Sequence, residues 1–305
     1  MTSDVRHLIT LASLTREDVE HIFDRAVEYK ADRYNHPQLA NRRTLALLFE
    51  RPSTRTRLSF QIAVSEMGGF PVCMEPSELC LSKGEPLEDT AKVFNRFVHA
   101  VVARVMDHKM LVRWASLSTV PIINGLDDHE HPCQGLTDLF TIREKLGGLS
   151  GACVAFLGDC EQNTAAGLEL ACAKLGVDFV AICPPEYQPR PEIQQALREH
   201  ASLTIIHDPA QGVRSANVLY TDIWVNPGFE DQANFRYEAL RPYQLNEALL
   251  SKARRDVLVM HNLPARRGEE ITDGVLRSPN CIVFDQAENR LHVQKGILHW
   301  AWRLE

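Results

Sequence analysis

The sequence lacks several features that would indicate whole classes of protein. None of its apolar stretches approaches about 18 residues, the length of a membrane-spanning helix, and no apolar signal core follows its first residues. It has no long basic run, and its formal net charge is −7, so neither nucleic acid nor an anionic membrane is an expected partner. It also has no Gly-x-Gly-x-x-Gly segment, which makes a nicotinamide dinucleotide enzyme a weak alternative. We expect a cytoplasmic protein.

The eight cysteines do not have the spacing of a zinc site or of a disulfide framework. None forms a Cys-x-x-Cys pair, and several lie in apolar runs, as Cys153 does in Ala-Cys-Val-Ala-Phe-Leu. Free thiols, buried as small apolar side chains, are the better interpretation. We therefore predict no metal site and no disulfide framework.

A length of 305 residues is typical of two domains, and an apolar content of 45% is enough for a substantial core. Short, continuously apolar runs alternate with amphipathic helical patterns along the chain. Strands of a parallel sheet, buried on both faces, have this pattern, and the length and β-branched content of the runs favour strands over buried helix segments. We therefore predict an α/β fold with two Rossmann-like α/β domains, each a parallel sheet flanked by helices. The predicted strands are 44–49, 100–105, 120–123, 152–157, 178–183, 203–206, 218–221 and 257–260.

A glycine-rich segment, Gly-Gly-Leu-Ser-Gly at 147–151, separates the two halves just before a new apolar run. The helical pattern from about residue 134 leads into this segment. We therefore predict a first domain over 1–133 and a second over 134–287. The helix predicted at the carboxy terminus, within 288–305, is expected to pack back on the first domain.

The segment richest in side chains suited to ligand binding follows the first apolar run. It reads Arg-Pro-Ser-Thr-Arg-Thr-Arg over residues 51–57, and a helical pattern begins inside it. Free N–H groups and the dipole at a helix N-terminus favour an anion, and the hydroxyls of Ser53 and Thr54 add donors suited to phosphate. A capped helix start with solvated arginines is the alternative. An anion site is favoured because three arginines surround the hydroxyls: Arg51, Arg55 and Arg57.

Several motifs together resemble those of the aspartate and ornithine carbamoyltransferase family. Ser-Thr-Arg-Thr-Arg-x-Ser-Phe at 53–60 is similar to the family signature, and His-Pro-Cys-Gln at 131–134 is similar to its His-Pro-x-Gln motif. The segment 83–91 resembles the family's mobile loop and following helix, and 285–292 resembles the carboxy-terminal motif of the ornithine branch. The likeness extends from about residue 8 to 298. The aspartate branch fits less well, because its second-half motif would read His-Pro-Leu-Pro.

The resemblance implies an enzyme that moves the carbamoyl group of carbamoyl phosphate onto the side-chain amine of ornithine or a closely related diamino acid. Phosphate and citrulline would be the products with ornithine, a reaction of arginine biosynthesis that needs neither a metal nor a cofactor. Arg104, His131 and Thr56 are implied to be catalytic, as donors to the tetrahedral oxyanion. The implied carbamoyl phosphate ligands are Ser53, Thr54, Arg55, Thr56, Arg104, His131, Gln134 and Arg290.

The family's quaternary structure and backbone geometry give two further expectations. The resemblance implies a homotrimer, or a multiple of trimers, in which a loop with Cys80 and Lys83 reaches into a neighbouring active site. It also implies a cis peptide bond at Leu263-Pro264.

The motifs of the amine site depart from the family pattern. The resemblance places the amine beside Asn163, Asp222, Asn226, Pro227, Asn262 and Leu263. In the loop 222–230, Asn226-Pro227 replaces Ser-Met, and Asn262 replaces the cysteine of His-Cys-Leu-Pro. Cys80 stands where ornithine enzymes usually have glutamine. The changes gather where the second substrate is expected, whereas the positions expected to contact carbamoyl phosphate are unchanged.

Three interpretations of this pattern stay open. The pocket accepts ornithine despite the changes, or the enzyme serves a specialised pathway with another amine such as lysine, diaminopropionate or acetylornithine. The third interpretation is a non-catalytic carbamoyl phosphate-binding paralogue. Asn262 cannot supply a thiolate, so any help that the family's cysteine gives in deprotonating the amine is lost or relocated.

Overall fold

The computed structural model describes residues 5–79, 83–226 and 228–305. The chain divides into two compact units, one of Met1–Thr137 with Glu288–Glu305 and one of Asp138–Ala287. These units differ from the predicted domains only in the assignment of residues 134–137. Two residues named above, Cys80 and Pro227, lie outside the described residues.

The first unit contains a parallel sheet of four strands in the order β2-β1-β3-β4. Its strands are β1 (Thr44–Phe49), β2 (Phe70–Met74), β3 (Ala100–Arg104) and β4 (Ile122–Leu126). The helices that lie entirely within the unit are α1 (Arg16–Ala31), α2 (Thr54–Glu66), α3 (Leu87–Phe97) and α4 (His108–Leu117). Two helices contain residues of both units, α5 (Pro132–Leu146) and α12 (Val283–Trp302).

The second unit contains a parallel sheet of five strands in the order β7-β6-β5-β8-β9. Its strands are β5 (Cys153–Leu157), β6 (Asp178–Ile182), β7 (Leu203–Ile206), β8 (Val218–Thr221) and β9 (Leu258–Met260). Its helices are α6 (Asn163–Leu175), α7 (Pro191–His200), α8 (Pro209–Gly212), α9 (Ala233–Leu240), α10 (Glu247–Leu250) and α11 (Asp273–Leu276). The predicted fold class is confirmed in both units.

The strands form where the sequence is apolar on both faces. Every residue of β3 except Arg104 is buried, and every residue of β1 except Thr44 is buried. Strand β2 was not predicted, because it lies at the edge of the sheet, where Phe70 is exposed and Pro71 interrupts the β-branched pattern. Strand β4 begins and ends later than the predicted 120–123.

Local capping signals explain where the first helix begins. The Thr15 side chain accepts a hydrogen bond from the Asp18 N–H, and the Asp18 carboxylate accepts one from the Thr15 N–H at 3.0 Å. This reciprocal capping box satisfies donors that a helix start leaves unpaired. The apolar face that follows is buried: Val19, Ile22, Phe23 and Ala26.

Both sheets reverse their strand order once, between β1 and β3 in the first unit and between β5 and β8 in the second. In open parallel sheets, ligands bind outside the carboxyl ends of the strands at such reversals. The four strands involved end at Phe49, Arg104, Leu157 and Thr221. Two of the motifs singled out above follow such strand ends directly: residues 51–57 follow β1, and the loop 222–230 follows β8. No helix in the described part of the chain is long and apolar enough to span a membrane.

Candidate active site

The first half of the candidate site lies at the carboxyl ends of β1 and β3. Phe49 and Arg104 are paired across the sheet, and the backbone N–H of Glu50 donates to the Arg104 carbonyl at 2.9 Å. Helix α2 begins four residues later, with Ser53 as its N-cap, and the Ser53 side chain makes no capping hydrogen bond. The hydroxyl at the N-cap is therefore not used by its own helix, as an anion site at this helix start requires.

Arg290, from α12, links two elements of this half-site. Its guanidinium donates to the Thr56 hydroxyl at 2.6 Å and to the Gln134 side-chain oxygen at 2.8 Å. All three side chains are buried. The planar fork of arginine holds both partners at fixed positions, so α2, α5 and α12 present their polar groups at one place.

Arg104 lies in a strongly positive environment. Its pKa is lowered to about 10, mainly by burial and in addition by the nearby charges of Arg51 and Arg55. Mutual repulsion of this kind among guanidinium groups is relieved when an anion binds between them. The arrangement therefore favours a ligand with more than one negative charge, such as a phosphate ester or anhydride.

His131 is buried at the start of α5 and is held neutral. Burial lowers the pKa of its imidazole well below the usual value, and the charges of Arg290 and Arg104 act in the same direction. Within the residues that the structure describes, its Nδ1 has no hydrogen-bond partner. A neutral imidazole offers one N–H donor and one acceptor nitrogen, so His131 can donate a hydrogen bond to a ligand without bringing a full charge.

The other residues predicted for this half-site are less enclosed. Ser53 and Arg55 are half-buried, whereas Thr54 and Arg57 are exposed. Lys83, predicted to act in a neighbouring subunit, is exposed in the segment before α3. The described structure thus brings together Thr56, Arg104, His131, Gln134 and Arg290 around Arg55 and the N-cap of α2.

The second half of the site lies at the carboxyl ends of β5, β8 and β9. Asp222 follows β8 and is buried, and burial raises the pKa of its carboxyl group. The Asn262 side-chain amide donates to Asp222 at 3.3 Å and to the Thr164 hydroxyl at 3.2 Å. Thr164 in turn donates to Asp222, which opposes the rise of the pKa. Asn262 therefore occupies a position next to the carboxylate that is expected to bind the amine.

A buried histidine, His261, lies near this carboxylate. His261 Nδ1 lies 4.0 Å from an Asp222 oxygen, and its Nε2 lies 2.9 Å from a Glu270 oxygen. The Leu263 N–H donates to His261 Nδ1 at 2.9 Å, so Nδ1 is an acceptor and Nε2 carries the proton. The Leu263-Pro264 peptide bond is cis, as the resemblance implies. Glu270 was not singled out by sequence reasoning.

The loop after β8 is tied to the loop after β5 by Asn226, which the sequence predicted, and by residues that sequence reasoning missed, among them Gln162 and Arg236. Arg236 donates to Asp159 at 2.6 Å and to the Trp224 carbonyl at 3.4 Å. The Asn226 amide donates to the Gln162 side-chain oxygen at 2.5 Å. Asp159 accepts backbone N–H groups of the turn that leads to Gln162. The position of Gln162 just before Asn163 was the only sequence signal for its role.

Across the described ranges 5–79, 83–226 and 228–305 there is no cluster of three or more histidine, cysteine or acidic side chains arranged to hold a metal ion. All seven described cysteines are free thiols. The polar groups described above in the two half-sites are arginine, histidine, hydroxyl, amide and carboxylate side chains.

Two family models match the chain on either side of its central glycine-rich segment. Residues 6–144 match the aspartate/ornithine carbamoyltransferase carbamoyl-P binding domain, and residues 150–301 match the Asp/Orn binding domain of the same family. The chain belongs to the aspartate/ornithine carbamoyltransferase family. As a member of that family, it is a carbamoyltransferase, and the family resemblance inferred from its motifs is confirmed.

Individual relatives share nearly the full length of this carbamoyltransferase. An ornithine carbamoyltransferase of Methanothermobacter thermautotrophicus is 44% identical over 97% of this chain and 98% of its own. The structure of ornithine carbamoyltransferase from Pyrococcus furiosus is 43% identical, with a TM-score of 0.91 and 96% of each chain covered. An anabolic ornithine carbamoyltransferase from Campylobacter jejuni is 32% identical, with a TM-score of 0.90, 97% of this chain covered and 98% of its own.

Proposed function

We propose that this protein transfers the carbamoyl group of carbamoyl phosphate to the side-chain amine of ornithine or a closely related diamino acid and releases phosphate. The observation that carries the proposal is the Arg290 bridge, which joins Thr56 and Gln134 beside Arg104 and His131.

In the donor half-site, Ser53, Thr54 and Arg55 would hold the phosphate at the N-terminus of α2. Arg104, His131, Gln134 and Arg290 would contact the carbamoyl portion. Thr56, whose hydroxyl accepts from Arg290, is free to donate its own proton to a ligand oxygen. The Arg51, Arg55 and Arg104 charges, which repel one another without ligand, would be compensated by the phosphate.

The reaction requires a neutral amine. Its nitrogen attacks the carbamoyl carbon, a tetrahedral oxyanion forms, the carbon–oxygen bond to phosphate breaks and the nitrogen loses a proton. Arg104, Thr56 and His131 would donate hydrogen bonds to the oxyanion, and donors fixed before the reaction stabilise that charge most effectively. The departing phosphate leaves as an anion already surrounded by arginine.

In the acceptor half-site, Asp222 would pair with an ammonium group of the substrate. Asn163, Asn226, Asn262 and Leu263 would line the same site, and Pro227 belongs to the same proposal although it lies outside the described residues. Asn262 is bonded to Asp222 and to Thr164, so it takes part in the site without being able to act as a thiolate. The presence of Asn262 where the family motif has cysteine is the specific observation that favours the second candidate function, transfer to a different acceptor.

Phosphate release from carbamoyl phosphate by purified protein, measured with a panel of amines, tests the proposal. The panel contains ornithine, lysine, diaminopropionate and acetylornithine. Turnover with ornithine at an ordinary enzymatic rate supports the main proposal, and turnover with another member alone supports the specialised acceptor. If no amine of the panel leads to phosphate release, although calorimetry shows that carbamoyl phosphate binds, the result would support the non-catalytic paralogue instead.

Three expectations from the sequence remain proposals. We infer a homotrimer, or a multiple of trimers, with the segment around Cys80 and Lys83 reaching a neighbouring site. We also infer a cytoplasmic location and the biosynthetic direction, which the name of the anabolic relative from Pyrococcus furiosus supports. Sedimentation analysis tests the trimer, since a monomer active at assay concentration would contradict it.

A further inference from the structure

Gln286, in the first turn of α12, makes hydrogen bonds to three separate elements of the second unit. It is 1% exposed. Its side-chain oxygen accepts from the His261 N–H at 3.0 Å, and its Nε2 donates to Asp138 at 2.7 Å and to the Tyr220 hydroxyl at 3.1 Å. All three partners are buried. One side chain therefore connects α12 with α5, with β8 and with the end of β9.

The contact with His261 continues the hydrogen bonding of β9 beyond the end of the strand. On the edge of β9 that faces away from β8, the Val259 N–H donates to the Asn280 carbonyl at 2.9 Å, and the Val259 carbonyl accepts from the Ile282 N–H at 3.0 Å. Since the N–H groups of a strand alternate in direction, the His261 N–H points to the same edge. The chain has entered α12 by then, so the Gln286 side chain supplies the oxygen that a neighbouring strand would otherwise supply.

The three contacts explain why an amide occupies this position. An amide is a neutral side chain that can accept a hydrogen bond at one end and donate two at the other. A methionine of similar volume would do neither, and it would leave the buried His261 N–H without an acceptor, which is costly in the interior of a protein. The Tyr220 hydroxyl also hydrogen-bonds to Asp138, so the donors of Gln286 meet two groups that are already joined.

The segment that Gln286 holds contains groups of the acceptor half-site. Asn262 follows His261 directly and donates to Asp222 at 3.3 Å, and His261 Nδ1 lies 4.0 Å from an Asp222 oxygen. The same Nδ1 accepts from the Leu263 N–H at 2.9 Å. A shift of the His261 backbone therefore moves the side chains beside Asp222. A misplacement of about 1 Å in a reacting geometry can cost about 100-fold in rate.

We propose that Gln286 is a positioning residue for carbamoyl transfer, because its oxygen holds the His261 N–H and so fixes the segment 261–263 that aligns the acceptor beside Asp222. This inference rests on the proposed function. Gln286 belongs to the second unit, whereas the residues proposed to bind carbamoyl phosphate belong to the first. Loss of its hydrogen bonds should therefore lower turnover of the acceptor and leave the affinity for carbamoyl phosphate almost unchanged.

The experiment compares Gln286→Met and Gln286→Glu with the wild-type protein, using ornithine or whichever amine of the panel the wild type carbamoylates. Calorimetry with carbamoyl phosphate gives its Kd and, from the stoichiometry, the concentration of folded protein. In Gln286→Met we expect kcat/KM for the amine to fall about ten- to a hundredfold and the Kd of carbamoyl phosphate to change less than about threefold. Gln286→Glu keeps an oxygen for the His261 N–H, and a proton shared between adjacent carboxyl groups restores a donor toward Asp138, so this variant should lose less activity.

Gln294→Met is the matched control. Gln294 is a second glutamine of α12 with 0% exposure, and in the described chain neither polar atom of its side chain has a hydrogen-bond partner. Its replacement should leave both constants within about threefold of wild type. Hydrogen exchange of the peptide that contains His261 should be faster in Gln286→Met than in Gln294→Met, because the His261 N–H has lost its acceptor.

The outcomes separate this inference from the proposed function. If the wild type carbamoylates an amine and Gln286→Met has the same kcat/KM, the role of Gln286 alone is overturned. A Kd for carbamoyl phosphate that rises as much as kcat/KM falls overturns it too, since the substitution would then damage the protein generally. A wild-type protein that carbamoylates no amine overturns the proposed function and this inference with it.

Discussion

Glu169 is expected to destabilise the second unit at neutral pH. It lies in the middle of α6 with 0% exposure, and neither carboxylate oxygen has a hydrogen-bond partner in the described structure. Burial raises the pKa of this carboxyl group well above its usual value; Arg190 opposes the rise, whereas Cys183 and Asp159 add to it. Replacing Glu169 with methionine removes the unpaired polar group at similar volume.

The size and sign of the effect follow from this environment. An unpaired buried polar group costs about 1–3 kcal/mol, so Glu169→Met should stabilise by roughly that amount. Because the pKa is raised, the Glu169 carboxyl group stays protonated to higher pH in the folded state than in the unfolded chain, where a glutamate has a pKa of about 4.3. The contribution of Glu169 is therefore most favourable below that pH and is lost as the pH rises toward the folded pKa. The advantage of the variant should grow with pH over the same interval.

Thermal unfolding monitored by circular dichroism between pH 5 and pH 8 measures the difference in stability between Glu169→Met and the wild-type protein. We expect Glu169→Met to raise the midpoint by about 2–12 °C at pH 8, and by less at pH 5, taking about 2–4 °C per kcal/mol. Glu238→Met, at an exposed position of α9, is the control and should show no such pH dependence. A Glu169→Met protein that is less stable than wild type at pH 8 would refute the reasoning, because Glu169 would then have a stabilising partner.

Three predictions concern activity. Arg290→Lys keeps the positive charge but cannot donate to Thr56 and Gln134 at the same time. The KM for carbamoyl phosphate in steady-state assays should therefore rise about 10–100-fold. An unchanged KM would contradict the assignment of Arg290 to the site. Because His131 is neutral, the pH profile of kcat/KM should show no inflection near pH 6.5 and should rise as the amine, whose pKa is about 10, loses its proton. An inflection near pH 6.5 that disappears in His131→Asn would contradict this. Asn262→Cys should increase ornithine turnover at pH 8 if the amide is only a substitute for a thiol, whereas a loss of at least several-fold would indicate that Asn262 suits another acceptor.

The strands that could be predicted from sequence are those buried on both faces. Strand β2 lacks this pattern, since Phe70 is exposed and the edge position tolerates Pro71. Helix α12 begins at Val283 rather than in the predicted segment from 288. Gln286 explains the earlier start, because it donates to Asp138 at 2.7 Å and accepts from the His261 N–H at 3.0 Å. No local pattern encodes contacts between residues so distant in sequence.

The same distinction between local and distant contacts applies within the carbamoyl phosphate half-site. Ser53, Thr54 and Arg55 are contiguous at a helix start, so helix physics alone predicts an anion site there. The Arg290–Thr56 contact joins residues 234 positions apart, and only the family resemblance indicated that both belong to one site. The roles proposed for individual residues in both half-sites stay predictions until the variants are measured.

The two described substitutions in the acceptor half-site, Asn226 and Asn262, each make hydrogen bonds to neighbouring polar side chains. Asn262 bonds to Asp222 and Thr164, and Asn226 bonds to Gln162. Both replacement side chains are amides, and both donate to a polar side chain of the same half-site. An amide adds a donor that carries no charge, so neither replacement competes with Asp222 through a negative charge of its own. The two substitutions therefore favour a pocket that binds its acceptor with neutral donors, whichever diamino acid that acceptor is.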